Sequence, residues 1–253
     1  MEHLEEKQKK TSNKAVDWAK HYDYYEIELR NMYKTVSRRQ NESHYKMLED
    51  KGAAFLNKKN SFCEIGFGCG LTLRYAFKDF GFVYGLDISP KNIELTKQEL
   101  RSEGHENFDL FVSDLMNFDP RFENKFDVIS FIHGLEHFSA EDYPVIFGHI
   151  KKYLKPGGVF TGALPFRNVF TYRMCPECNH VFEIDGHVSS HNIESLTQLF
   201  KTNGFEIIHV SNINMKYALS HGSLMKKAAR FVYYGLLKAK SHAQLEYIVR
   251  PKK

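Results

Sequence analysis

Three glycines at alternate positions, Gly66, Gly68 and Gly70, follow an apolar run that starts at residue 61 and precede a stretch with helical packing residues, LTLRYAFKDF. Glycines in such a turn let the backbone approach a ligand over a helix N-terminus. Counted from Glu64 the spacing is E-x-G-x-G-x-G, so the third glycine comes one residue earlier than in the G-x-G-x-x-G of dinucleotide sites. Asp87 lies 21 positions after Gly66, at the end of a second strand-like run. A carboxylate there can accept both ribose hydroxyls of a nucleoside. Two other sets carry chemistry. His133-Gly-Leu-Glu136-His137 is formally the H-x-x-E-H of zinc peptidases, but that pattern must lie within a helix, and here it begins at the end of an apolar run and contains a glycine. An imidazole titrates near neutrality, so His133 or His137 can take a proton; Glu136 and His137 can equally do no more than orient the loop. Cys175-Pro-Glu-Cys178, with His187 and His191 following, gives C-x2-C-x8-H-x3-H, near a structural zinc spacing. The expected ligands are Cys175, Cys178, His187 and His191, with a metal-free loop bearing two thiols as the alternative. A redox C-x-x-C is disfavoured because the motif does not open a helix after a strand.

The elements that must hold these groups alternate. Ser89 and Pro90 start a helix, as N-cap and first helical residue, that ends near Gly104. A short strand over 108–112 leads to Asp114 and Leu115. Residues 126–132 read as a buried parallel strand, continuous in apolar residues. A helix over 143–154, Lys155-Pro-Gly-Gly158 and a strand over 159–164 follow. Residues 165–190 are an insertion. A helix ending at Gly204, a strand over 205–210 and a closing strand over 245–249 complete the pattern, with residues 213–241 inserted between the last two strands. Strand and helix in alternation predict a doubly wound parallel α/β sheet. Ahead of it, residues 14–56 show helical patterning, including Trp18, Tyr45, Met47 and Leu48, and residues 1–14 are too polar and charged to order.

The glycine spacing, Asp87, FDVI at the fourth strand and LKPGG before the fifth together resemble the class I S-adenosylmethionine-dependent methyltransferases, and they do so in the right order across residues 61–164. The resemblance implies a Rossmann-like, doubly wound seven-stranded sheet with the last strand antiparallel, an N-terminal helical cap and a small Cys/His knuckle. It implies S-adenosylmethionine as cofactor, held by Glu64, Gly66, Gly68, Gly70, Asp87, Ile88, Asp114, Leu115 and Ile132. Asp114 would accept from the adenine amino group, or serve only as a helix N-cap, or both. It implies methyl transfer to a small or lipid-linked acceptor, an oxygen of a sugar or quinone-like molecule, with His133, Glu136 and His137 beside the moving methyl. In the quinone-biosynthesis members a similar E-x-x-E-H is associated with a divalent cation; here His133 replaces the first glutamate. Some glycan-cluster members carry a CPxCGxxF…GH knuckle, from which Asn179 and Glu183 depart. Trp18 resembles a cap-helix residue over the cofactor, and core packing is the equal alternative. Two other function classes stay open: a cofactor-binding module without chemistry, and an NAD-dependent oxidoreductase, which the glycine spacing opposes.

Composition agrees. At 253 residues, 42% hydrophobic and 26% charged, the chain can bury a substantial core. No run is apolar enough to span a membrane, and the N-terminus lacks the apolar stretch of a secretory signal. Four cysteines then argue for thiols or metal ligands in a cytoplasmic protein. The expected division is a helical cap over 1–56 and a catalytic core over 57–253. Charge is uneven: residues 215–253 carry 9 Lys and Arg against 1 Glu, a net +8. Residues 222–240 form a basic amphipathic stretch able to lie on an anionic membrane, here the inner surface, or simply to pack. No aromatic-basic platform accompanies it, so no nucleic acid is expected.

Overall fold

The computed structural model describes residues 17–24, 30–31, 38–214 and 243–252. The expected disorder of residues 1–14, the apolar positions Val16, Tyr25, Ile27 and Leu29, and nearly all of the 213–241 insertion lie outside the described residues.

Strands β1 (Ser61–Ile65), β2 (Phe82–Asp87), β3 (Phe108–Val112), β4 (Phe126–Ile132), β5 (Leu154–Pro165), β8 (Phe205–Asn214) and β9 (Ala243–Pro251) form one sheet in the order β3-β2-β1-β4-β5-β9-β8. β1, β2, β3, β4 and β5 pair in parallel, and β9 runs antiparallel between β5 and β8. This is the expected seven-stranded sheet. Every residue of β1 is buried, as a central parallel strand covered on both faces requires.

Helices cover both faces: α1 (Arg38–Lys51), α2 (Leu71–Ala76), α3 (Pro90–Ser102), α4 (Tyr143–Tyr153) and α5 (Ile193–Thr202). Their starts follow from the sequence. Ser89 accepts the Asn92 N–H at 3.0 Å with Pro90 in the first turn of α3, and Asn192 and Ser195 close a reciprocal capping box on α5. One core layer gathers Phe147, Phe160, Phe200, Phe205 and Tyr247 under α4 and α5. The other places Met47 and Leu48 of α1 with Phe62, Val128, Val159 and Ile248. β5 begins five residues before the expected strand, because Leu154 already pairs with Phe126 and Lys155-Pro-Gly-Gly158, with Gly157 at φ 84°, bulges out before Val159 pairs with Val128.

The 165–190 insertion contains a two-stranded ribbon, β6 (Tyr172–Met174) paired antiparallel with β7 (Val181–Glu183). Ahead of α1, residues 18–24 are helical. Both segments sit over the C-terminal edge of β1, β4 and β5, and that placement builds the site.

Candidate active site

A cleft of about 1240 Å³ opens at this edge. Its first half is made by the β1–α2 turn. Gly66, Gly68 and Gly70 all take positive φ, at 60°, 50° and 69°. At Gly70, the N-cap of α2, a Cβ would sit 2.7 Å from the Thr96 methyl as well as demanding a left-handed backbone, so only glycine fits. Asp87 is 5% exposed. Its carboxylate accepts the Gly68 N–H at 3.0 Å, the Ser89 N–H at 2.9 Å and the Asn92 amide at 3.3 Å. Burial pushes this carboxyl above its usual value against the pull of those donors. The acid therefore ties the glycine turn to β2 and has lone pairs left for a ligand.

Glu64 is more deeply buried, and desolvation, with the Asp87 charge adding to it, drives its carboxyl well above the ordinary range. Its Oε2 has no hydrogen-bond partner among the described residues, and the residue lines the cleft. A buried carboxyl with one oxygen left open beside Asp87 fits a ligand that brings donors and positive charge, as the sulfonium and amino groups of S-adenosylmethionine do. Ile88, Asp114, Leu115 and Ile132 also line the cleft. Asp114 caps its own turn, accepting the Met116 N–H at 3.0 Å and the Asn117 amide at 2.7 Å, so its capping role coexists with a place in the cleft wall.

The other half is built at the end of β4. His133 takes φ 51°, a conformation unusual without glycine, held by its N–H bond to the Ala163 carbonyl of β5 at 2.7 Å. At Gly134 a Cβ would lie 1.8 Å from the Phe131 ring, so the chain must carry glycine there to turn back. The next three residues, Leu135–His137, form a single 3₁₀ turn. His133 and Glu136 come together, Nδ1 to Oε1 at 3.3 Å. Glu136 is 1% exposed. Burial alone would raise its carboxyl; the His133 hydrogen bond and the His133 and His137 charges outweigh it and hold it below the usual value. Glu136 Oε2 and His133 Nε2 have no partners among the described residues. His137 Nδ1 donates to the Gly186 carbonyl at 3.1 Å, which leaves Nε2 as the free base. Burial lowers the affinity of this imidazole for a proton, so it is neutral near pH 7. Trp18 and Tyr22 pack edge-on against its ring and line the cleft.

The expected zinc set does not assemble. His191 bonds the Tyr143 hydroxyl at 2.9 Å through Nε2. His187 turns into the cleft, with its ring 5.0 Å from that of His137 and Nε2 3.8 Å from Glu136 Oε1. Among the described residues, two trios have ligand atoms within 4.8 Å of one another, Glu136/His137/His187 and Glu183/Asp185/His187, and neither includes a cysteine. Cys175 and Cys178 sit in the exposed turn between β6 and β7, and backbone hydrogen bonds from Cys178 and Glu177 lower the Cys175 thiol. The stem of the ribbon instead closes on the 3₁₀ turn over Leu135–His137. The Glu136 carbonyl accepts the N–H groups of Val188 and Ser189, at 2.9 and 3.1 Å. His187 lines the cleft beside His137, and fifty residues along the chain nothing local marked the two as neighbours.

A mixed sheet of this order, with β9 antiparallel, a glycine turn at the end of β1 and an acid at the end of β2, is the class I S-adenosylmethionine-dependent methyltransferase fold. The chain belongs to the methyltransferase-domain family, whose profile matches residues 38–210. It is 25% identical over 193 residues to a probable fatty acid methyltransferase of Mycobacterium tuberculosis, covering 71% of this chain and 41% of that protein, so it spans less than half that relative's length. Among solved structures, DhpI in complex with SAH aligns with TM-score 0.62 at 18% identity, covering 91% of this chain and 95% of DhpI. A S-adenosylmethionine-dependent methyltransferase from Clostridium acetobutylicum gives 0.63 at 12% identity, over 90% of this chain and 99% of that one. At such identities the structural likeness speaks for the fold. S-adenosylmethionine is the cofactor that the family and the cleft share.

Proposed function

We propose that this protein transfers the methyl group of S-adenosylmethionine to an oxygen of a small or lipid-linked acceptor, such as a sugar or a quinone-like molecule. The observation that carries the reading is the buried Glu136, paired to His133 and adjoining His137, at the far end of a cleft whose near end fits the cofactor. When bound, the cofactor supplies a methyl on a sulfonium, so the leaving group needs no protonation. What the chain must do is exclude water, align the acceptor and take its proton. His137 Nε2 is the base of this proposal: the Gly186 carbonyl fixes its tautomer, burial keeps it neutral, and Glu136 stabilises the imidazolium it becomes. A second reading has one supporting observation. Glu136, His137 and His187 approach closely enough to share a divalent cation, in which case His137 would be a ligand and the cation would make the acceptor hydroxyl more acidic.

The name of the Mycobacterium relative supports a lipidic acceptor. The basic composition of residues 222–240 supports contact with the inner membrane surface by a cytoplasmic protein. The test follows methyl transfer from labelled cofactor into candidate hydroxyl acceptors. His137→Ala and His133→Ala are expected to lower turnover about 10²–10⁴-fold while leaving S-adenosylhomocysteine affinity intact. If both variants turn over like the parent, the histidines are structural and proximity alone does the work.

A further inference from the structure

Among the described residues seven buried side-chain polar atoms have no hydrogen-bond partner. Four belong to Glu64, Asn92, His133 and Glu136, all of which line the cleft at its cofactor and histidine ends. The other three, His44 Nδ1, Gln244 Oε1 and Glu246 Oε2, gather where α1 packs on β9. A buried acceptor without a donor is costly, so its position asks for a partner that the chain itself does not supply. Of these three residues Gln244 is the one that lines the cleft. Gln40, one turn ahead of Ser43 on α1, lines it too, so the cleft extends to the wall that α1 and β9 share.

The Gln244 carboxamide is oriented from behind. Its Nε2 donates to Glu246 Oε1 at 2.7 Å, and the Ser43 hydroxyl donates to the same oxygen at 3.4 Å. A carboxylate only accepts, so it takes the NH2 end of Gln244 and leaves the carbonyl oxygen for the cleft. Glu246 itself is fully buried, and the residues paired with it on β5 and β8, Ala163 and Ser211, carry no charge to draw it elsewhere. Sheet order then decides what the Gln244 oxygen can meet. β9 lies beyond β5 from β4, whereas β1 and its glycine turn lie on the opposite side of β4. Gln244 pairs with Pro165 and Ile132 with Ala163, so Gln244 is nearly level with His133 and about 10 Å across the sheet from β4. It therefore stands on the side of the histidines away from the cofactor residues.

We infer that Gln244, held by Glu246, is a specificity-determining residue of the acceptor site, its carbonyl oxygen taking a hydrogen bond from a second hydroxyl or N–H of the acceptor. An acceptor with an apolar group at this place would leave the oxygen buried and unpaired, and is disfavoured for that reason. Glu246 touches no substrate and is a positioning residue. The choice of acceptor rests on the methyl-transfer reading; the orientation of Gln244 does not.

The full chain is assayed at pH 8, above the raised value of about 7 at which Glu246 ionises. The probes are para-phenylphenol and its derivatives with hydroxyl, amino or methoxy at the far para position, given with labelled S-adenosylmethionine to the parent, Gln244→Leu and Glu246→Gln. The parent is expected to use the hydroxyl or the amino probe with a kcat/KM about tenfold or more above the methoxy and unsubstituted ones, mainly through KM. The hydroxyl and amino arms decide which donor is read. Gln244→Leu should lose the preference. Glu246→Gln should weaken it, because an amide at 246 can donate to the Gln244 oxygen and let the carboxamide turn. S-adenosylhomocysteine affinity, measured on all three, reports that the fold is kept. NMR of nitrogen-labelled glutamine side chains reads the orientation without any acceptor. The carboxamide signals lost in Gln244→Leu should shift in the parent as Glu246 ionises and stay still in Glu246→Gln. Equal use of all probes by the parent, or an unchanged preference in Gln244→Leu, overturns the inference and leaves methyl transfer standing. Carboxamide signals indifferent to Glu246 overturn its positioning role. S-adenosylhomocysteine binding with no probe methylated removes the hydroxyl-acceptor reading and the acceptor half of the inference with it, while the spectra still decide the orientation.

Discussion

Asp87→Ala probes the cofactor half of the cleft at its most connected residue. In the native chain its carboxylate already accepts three donors, from Gly68, Ser89 and Asn92, and its remaining lone pairs face the cleft. Two separate losses are therefore expected. A charge-assisted hydrogen bond to a ribose hydroxyl is worth about 1.5–3 kcal/mol, so affinity for S-adenosylhomocysteine should fall by roughly 10- to 150-fold. The Gly68 and Ser89 N–H groups also lose their acceptor in a buried setting, which costs about 1–3 kcal/mol for each group that water cannot reach. The empty protein should consequently melt lower, and added ligand should rescue it less than it rescues the parent. Calorimetric titration measures the first loss and thermal denaturation with and without ligand the second. Asp87→Asn separates them further, since its amide nitrogen meets donors already in place and cannot replace either oxygen without loss. Unchanged affinity in both variants would refute the assignment of this carboxylate to the ribose; unchanged melting with reduced affinity would show that its backbone bonds are replaceable by water.

Glu246 is fully buried on β9, its Oε1 taking the Gln244 amide at 2.7 Å and the Ser43 hydroxyl at 3.4 Å and its Oε2 nothing among the described residues, and burial raises its carboxyl from an ordinary 4.5 to about 7. A raised carboxyl is neutral in both states at low pH and ionises first in the unfolded chain, so its penalty grows between those two values and is complete above the higher one. Glu246→Gln should thus stabilise the fold by roughly 3 kcal/mol near pH 8 and by almost nothing near pH 4; equal effects at both, followed by denaturant midpoints, would refute the titration. Since the two cysteines share no cluster with His187 or His191, Cys175→Ser should leave metal content and cofactor affinity unchanged, and a stoichiometric zinc lost in that variant by elemental analysis would overturn the geometry.

Local chemistry carried much of this molecule in its sequence. The glycine spacing, the acid 21 residues on, the Ser89-Pro90 helix start and the apolar parallel strands are each specified within a few residues, because a turn, a cap and a buried strand are local solutions to backbone sterics and hydrogen bonding. The antiparallel last strand came from the family resemblance, but β1, β2, β3 and β4 were for that reason readable in order. The cysteine knuckle was not, and the reason is physical. A ligand spacing says which side chains can reach one another along the chain, but it is silent about stronger partners elsewhere. Here the Tyr143 hydroxyl holds His191, and the Glu136 carbonyl draws residues 188 and 189 onto the β4 turn. Those long-range bonds move His187 away from the thiols and set it beside Glu136 and His137. Likewise, Trp18 could be read from sequence as cap or core with equal right, and its packing on His137, over a hundred residues away, is decided by the tertiary fold alone.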